Sequence, residues 1–187
     1  LRADAAVANH CARGGYIIRP AEGERKGTIL ATGSEVSIAI EAQALLAKEG
    51  IHVAVASLPC WELFDQQSEA YRNEVLGSGI RVAVEAMVSF GWERYLGPIG
   101  PKGGGFVGMT GFGASAPGPD VYKHFNITPA AVAEARLAVA GINLVFRLRG
   151  AAFRSYVFSN AAIDAAVNRA GLLPRSRRRE RPDPPHQ

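Results

Sequence analysis

The sequence predicts an α/β fold, a parallel sheet of about five strands with helices on its faces, and three observations carry that prediction. Short apolar runs recur along the chain, and Gly or Pro closes the first three of them. Between two of these runs lies Glu35 to Glu49, rich in Ala, Ile and Leu at helical spacing. The joints are short, which is the pattern of strand, helix, strand units with right-handed crossovers and parallel strands. With 187 residues, 48% hydrophobic and 20% charged, the chain is large enough for one domain core and too apolar for disorder, collagen or a coiled coil.

The elements follow in order. Gly15 to Arg19 is a β-branched run closed by Pro20, and Gly27 to Thr32 is an apolar run closed by Gly33. Ser34 stands where it can cap a helix whose stripe holds Ile38, Ala42, Leu45 and Leu46, with Gly50 at the C′ position. Ile51 to Leu58 is almost continuously apolar before Pro59, as a strand covered on both faces should be. Asp65 or Ser68 opens a helix through Leu76, and a Gly77-Ser78-Gly79 joint leads into the strand Ile80 to Glu85. A helical turn is expected at Trp92 to Leu96, a short strand at Phe106 to Met109, and a helix from Thr128, with Pro129 at N1, to about Val139. Five strands and four helices result. A further small helix is expected from Asn160 to Ala170, with Ile163 and Val167 at i, i+4.

Composition excludes several classes of function. Cys11 and Cys60 lack the close spacing of a zinc or redox pair and are expected as free thiols. His10, His52, His124 and His186 are scattered, so no metal site is expected. The longest uncharged apolar stretch, Leu137 to Phe146, is about half of the roughly 20 residues a membrane span needs. Charge is uneven: residues 1–140 hold 12 basic and 14 acidic side chains, whereas 141–187 hold 9 Arg and 3 acidic ones. Pro174 to Gln187, with five Arg among four prolines, cannot bury a core and is expected to be disordered. Clustered Arg can neutralise phosphates, yet without aromatics or a reading domain beside it the tail reads better as a solvated end than as a nucleic-acid site. An out-of-frame, GC-rich gene end would have the same composition.

Few residues offer chemistry. Thr32, Ser34 and Glu35 lie between a strand and a helix start, where backbone N–H groups favour an anion. The segment is neither a G-x-G-x-x-G fingerprint nor a P-loop, and Glu35 would repel a phosphate, so an ordinary capped helix is the stronger reading. Gly103-Gly104-Gly105 reads as a surface turn. Glu85 ends a strand on the side of a parallel sheet where ligands lie, and either contacts a ligand or facing domain or is simply solvated. Trp61, Glu62, Leu63 and Phe64 follow another strand end and either form an apolar contact patch or cap the core. Gly111 to Pro117 reads as a packed loop whose Ser115 has no neighbouring His and acid to make it a nucleophile. No catalytic set is complete.

Three segments together, Ala31-Thr32-Gly33-Ser34-Glu35-Val36, Leu58-Pro59-Cys60-Trp61-Glu62-Leu63-Phe64-Asp65 and Gly111-Phe112-Gly113-Ala114-Ser115-Ala116-Pro117, resemble the C-terminal domain of transketolase in order and spacing. Ala12 to Tyr16, Gly91 to Gly97 and His124 to Thr128 add to the likeness, which spans about residues 10–139. The resemblance implies a five-stranded, mostly parallel sheet with helices on both faces in a three-layer arrangement. For the intact enzyme it implies a homodimer that moves a two-carbon ketol unit from a ketose phosphate to an aldose phosphate in the pentose phosphate pathway, using thiamine diphosphate and Mg²⁺ or Ca²⁺; the cytoplasm is the compartment expected from a sequence in which neither a membrane span nor a secretory signal is legible. The family's Gly-Asp-Gly motif for diphosphate and metal does not occur in this sequence, so no catalytic, cofactor or metal residue carries over.

What the resemblance implies for this chain is support. Residues 1–14 are expected to be a linker from an upstream domain, 15–140 the α/β domain, 141–173 an atypical extension and 174–187 the Arg/Pro tail, on a fragment or processed chain that begins at Leu1. Trp61, Glu62, Phe64, Glu85, Trp92, Phe112 and Ser115 are the candidate contacts with the absent N-terminal and middle domains or across a dimer. A small-anion or nucleotide-binding regulatory module, with Thr32, Ser34 and Glu35 as its site, is the alternative. The equivalent domain of a related thiamine enzyme, a pyruvate dehydrogenase-type β subunit or deoxyxylulose phosphate synthase, fits these segments less well.

Overall fold

The apolar runs pair into one sheet, seen in a computed structural model that describes residues 9–100 and 103–139. A 3₁₀ turn at His10–Arg13 leads into β1 (Tyr16–Arg19); β2 (Gly27–Ala31), β3 (Ala54–Ser57), β4 (Ile80–Glu85) and β5 (Gly105–Gly108) complete a five-stranded sheet of order β1-β3-β2-β4-β5. β2 pairs parallel with β3 and with β4, and β4 pairs parallel with β5. β1 is an antiparallel edge strand on β3 whose register shifts between Ile17 and Arg19. The mostly parallel five-stranded sheet matches the sequence reading.

Side chains alternate along each strand, so the sheet has two apolar faces. Ile29, Ala31, Val55, Val82, Val84 and Val107 point to one face, where α1 (Glu35–Lys48) lays Ala39, Ala42 and Leu46 and α6 (Pro129–Val139) lays Val132, Ala133 and Leu137. Leu30, Ala56 and Ala83 point to the other face, which is covered by α2 (Trp61–Asp65), α3 (Glu69–Leu76) and α4 (Glu93–Leu96). Three layers result, with β2 and β3 buried along their whole length. Thr28, on the second face, donates its hydroxyl to Leu76 O at 2.7 Å and ties α3 to the sheet.

Local signals explain the element ends. Gly50, at φ +72°, ends α1, as only a residue without a Cβ does cheaply. The N–H of Gly50 bonds Ala47 O and that of Ile51 bonds Leu46 O, both at 3.0 Å. Because Ile51 is still closing the helix, the strand begins at Ala54, three residues later than its apolar pattern predicts. Ser68 caps α3 by accepting from Tyr71 N, and Thr128 Oγ1 accepts from Ala131 N at 3.2 Å. Ser34 does not cap α1: its backbone is already αR and its hydroxyl turns to other partners.

Other differences have similar causes. The described residues form six helices rather than four, because α2 and α5 (Gly118–His124) were not expected as helices. α2 is nucleated by Cys60, whose extended backbone lets Cys60 O accept from Phe64 N at 3.1 Å. Gly111 to Pro117 is a loop but not a packed one, for every residue from Gly111 to Asp120 is exposed. Cys11 and Cys60 are free thiols. Residues 1–8 of the linker expected over 1–14, the boundary near Ala140, the helix from Asn160 and the Arg/Pro tail lie outside the described residues.

Candidate functional site at the carboxyl edge of the sheet

After β2 the chain goes to one side to form β3 and then crosses to the other to form β4, so the order reverses between β2 and β4. At such a point the loops leaving the two strands part and open a crevice. Glu35, on the first turn after β2, and Glu85, the last residue of β4, both belong to this edge.

Glu35 is buried, only 4% exposed. It accepts a short hydrogen bond from the Tyr122 hydroxyl on α5. Ser34 Oγ bonds both of its carboxylate oxygens, at 3.1 and 3.2 Å, and lies 3.2 Å from Tyr122 Oη. The hydrogen bond to Glu35 is the main cause holding the Tyr122 hydroxyl above its ordinary pKa. Glu85 Oε1 accepts from Ala86 N at 3.1 Å, while Oε2 is enclosed and has no partner. Burial first, and the charge of Glu35 second, push Glu85 up to about 7 against the opposing Ala86 bond.

This geometry bears on each sequence-predicted residue. The Ser34 hydroxyl is committed to Glu35 and Tyr122, and two carboxylates within electrostatic reach give this helix start the sign that repels an anion. The anion reading of Thr32, Ser34 and Glu35 therefore gains nothing from the arrangement. Phe64 and Trp92 are fully buried within the second core and present no surface to a partner, which corrects their place among the contact candidates. Trp61 is half-buried, meeting Trp92 edge-on at 4.9 Å and Tyr95 at 5.5 Å between ring centroids. Glu62 and Ser115 are exposed.

Phe112 is 100% exposed, on the loop after β5. The neighbouring loop after β4 exposes Met87, Val88 and Phe90, the last by 82%. The two loops are joined by Met109 N donating to Met87 O at 2.9 Å. Sequence reasoning missed Met87, Val88 and Phe90, although an apolar run continuing past a strand end was the signal. Among the described residues no three metal-ligating side chains gather, and no helix is long and apolar enough to cross a membrane.

The comparisons with known proteins agree with one another. The sequence is 56% identical to a transketolase of Sinorhizobium medicae over 121 residues, 64% of this chain and 17% of that protein. It is 50% identical to a Rhodobacter capsulatus transketolase over 138 residues, 71% of this chain and 20% of that one. The fold matches a Leishmania mexicana transketolase with a TM-score of 0.63 at 40% identity, over 72% of this chain and 19% of that one. A Pichia stipitis transketolase solved with sedoheptulose 7-phosphate matches with a TM-score of 0.62 at 37% identity, over 71% and 19%. The chain thus spans about a fifth of the length of the curated relatives it matches. The family described as the transketolase-like TK C-terminal domain matches residues 14–128, from the turn before β1 to the residue that caps α6, and the chain belongs to that family.

Proposed function

We propose that this domain is a supporting part of a transketolase, an enzyme moving a two-carbon ketol unit from a ketose phosphate to an aldose phosphate in the cytoplasm. In this reading the domain docks through the carboxyl edge of its sheet onto the thiamine diphosphate-binding domains or across the dimer. The observation that carries it is the apolar rim of Met87, Val88, Phe90 and Phe112 on two joined loops, with Phe112 wholly in solvent. Isolated exposed apolar residues are ordinary, but several on adjacent loops of one edge mark a contact surface. Trp61, Glu62, Glu85 and Ser115 remain contact candidates beside them.

Thiamine diphosphate would supply the carbanion-stabilising chemistry, and the two carboxylates at this edge, Glu35 and Glu85, do not suit it or its metal. Glu35 is held by Tyr122 and Ser34, and the open oxygen of Glu85 is enclosed. In this reading the grip on the cofactor falls to the rest of such an enzyme. The test is a chimera in which this domain replaces the matched segment of the Sinorhizobium medicae enzyme. Ketol transfer should persist in the chimera, and Phe112→Asp with Phe90→Asp should weaken its assembly by at least tenfold while the domain stays folded. Unchanged assembly in the double variant would refute the docking role.

A further inference from the structure

A second group of charged side chains lies on the opposite face from α1, around a cleft of about 520 Å³ between α3 and α4. Residues Glu69, Arg72, Asn73 and Leu76 follow the i, i+3, i+4, i+7 spacing, so one stripe of α3 forms one wall. The opposite stripe faces inward, with Val75 buried and the Tyr71 hydroxyl donating to Gly15 O at 2.9 Å. Arg81 of β4, Arg94 and Tyr95 of α4, and Asp65 at the end of α2 complete the lining.

The guanidinium groups are held in place from several sides. Arg81 donates Nε and Nη2 to Gly77 O at 3.2 and 2.7 Å and Nη1 to Tyr95 O at 2.8 Å, joining the end of α3 to α4. Both partners are neutral carbonyls, so the charge of Arg81 meets no opposite charge among these bonds. Arg94 pairs with Asp65 Oδ2 at 2.9 Å and lies 5.6 Å from the Trp61 ring centre. The other Asp65 oxygen accepts from the Tyr95 hydroxyl at 2.9 Å, so Asp65 is fully engaged. Arg72 Nε is enclosed and has no hydrogen-bond partner. Three Arg thus converge from three elements against Asp65 and an exposed Glu69.

We propose that this cleft binds a small phosphate-bearing anion, with Arg72 and Arg94 as the gripping groups and Arg81 as the fixed charge at its floor. Arg94 is already paired with Asp65, but Arg72 and Arg81 form no ion pair among the described residues, and guanidinium forks match phosphate oxygens in pairs. The cleft volume is that of a metabolite-sized site, about 300–1,000 Å³. Asn73 supplies a neutral donor and Leu76 an apolar wall, which suits a phosphate ester of a small organic molecule as well as free phosphate. The inference stands apart from the docking role and does not depend on it.

The test is calorimetric titration of the whole chain at low salt with inorganic phosphate, ribose 5-phosphate and ribose. Saturable binding of the two phosphates without ribose is the expected result, the tighter of the two showing whether free phosphate or an ester is preferred. Arg72→Gln should weaken binding about tenfold, and Lys48→Gln, an exposed charge on α1, should leave it unchanged. Glu69→Gln should tighten binding about threefold by removing a repelling charge, a gain that misfolding would not produce. No saturable binding of either phosphate, or equal binding by Arg72→Gln and the parent, overturns the proposal.

Discussion

Glu85→Gln is the sharpest probe of the electrostatics at the sheet edge. In the folded chain the Glu85 carboxyl is pushed from 4.5 to about 7, whereas the unfolded chain leaves it near its ordinary value. Between those two values the folded state binds more protons than the unfolded one, so stability is lost as pH rises from about 4.5 to 7 and levels off above. The full displacement corresponds to roughly 3 kcal/mol. Glu85 is only partly buried, and solvent screening brings the contribution to about 1–2 kcal/mol. Gln carries no charge at any pH. The variant should therefore be more stable than the parent by about 1–2 kcal/mol at pH 8 and nearly equal to it at pH 4.5. Urea denaturation followed by circular dichroism, at half-unit steps from pH 4.5 to 8, reads the difference directly. A constant difference between parent and variant across that range refutes the reasoning, because it removes the titration of Glu85 from the cause.

Other outcomes follow from packing and hydrogen bonding. Phe64→Ala should cost about 3–5 kcal/mol by opening a cavity in the second core, while Phe112→Ala should change stability by less than about 0.5 kcal/mol; thermal or urea melts check both. Gly50→Ala forces a Cβ into a positive-φ conformation and should cost about 1 kcal/mol, visible in the same melts. Tyr122→Phe removes a donor from the buried Glu35 carboxylate and should cost about 1–3 kcal/mol at pH 8. A Tyr122→Phe variant as stable as the parent would show that Glu35 does not rely on that hydroxyl.

Strand positions other than the start of β3, the caps at Ser68 and Thr128 and the stop at Gly50 are legible in the sequence because each depends on neighbouring residues. A β-branched run, a hydroxyl three residues ahead of a free N–H, or a glycine that can reach positive φ acts within one turn of chain. The strand, helix, strand order also limits the sheet to a mostly parallel one, since the short joints allow few other connections. The fate of the aromatics is a different matter. Phe64 and Phe112 both follow strand ends, yet one lies in the core and the other in solvent, because α2 folds back over the sheet and the loop after β5 does not. Only the strand order brings Glu35, Glu85 and Tyr122 to one edge, although 87 positions separate the outer two, and only the packing of α3 beside α4 gathers Arg72, Arg81 and Arg94. Short-range chemistry therefore chose the elements, while long-range burial, which minimises apolar surface over the whole domain at once, decided which side chains meet and which face water.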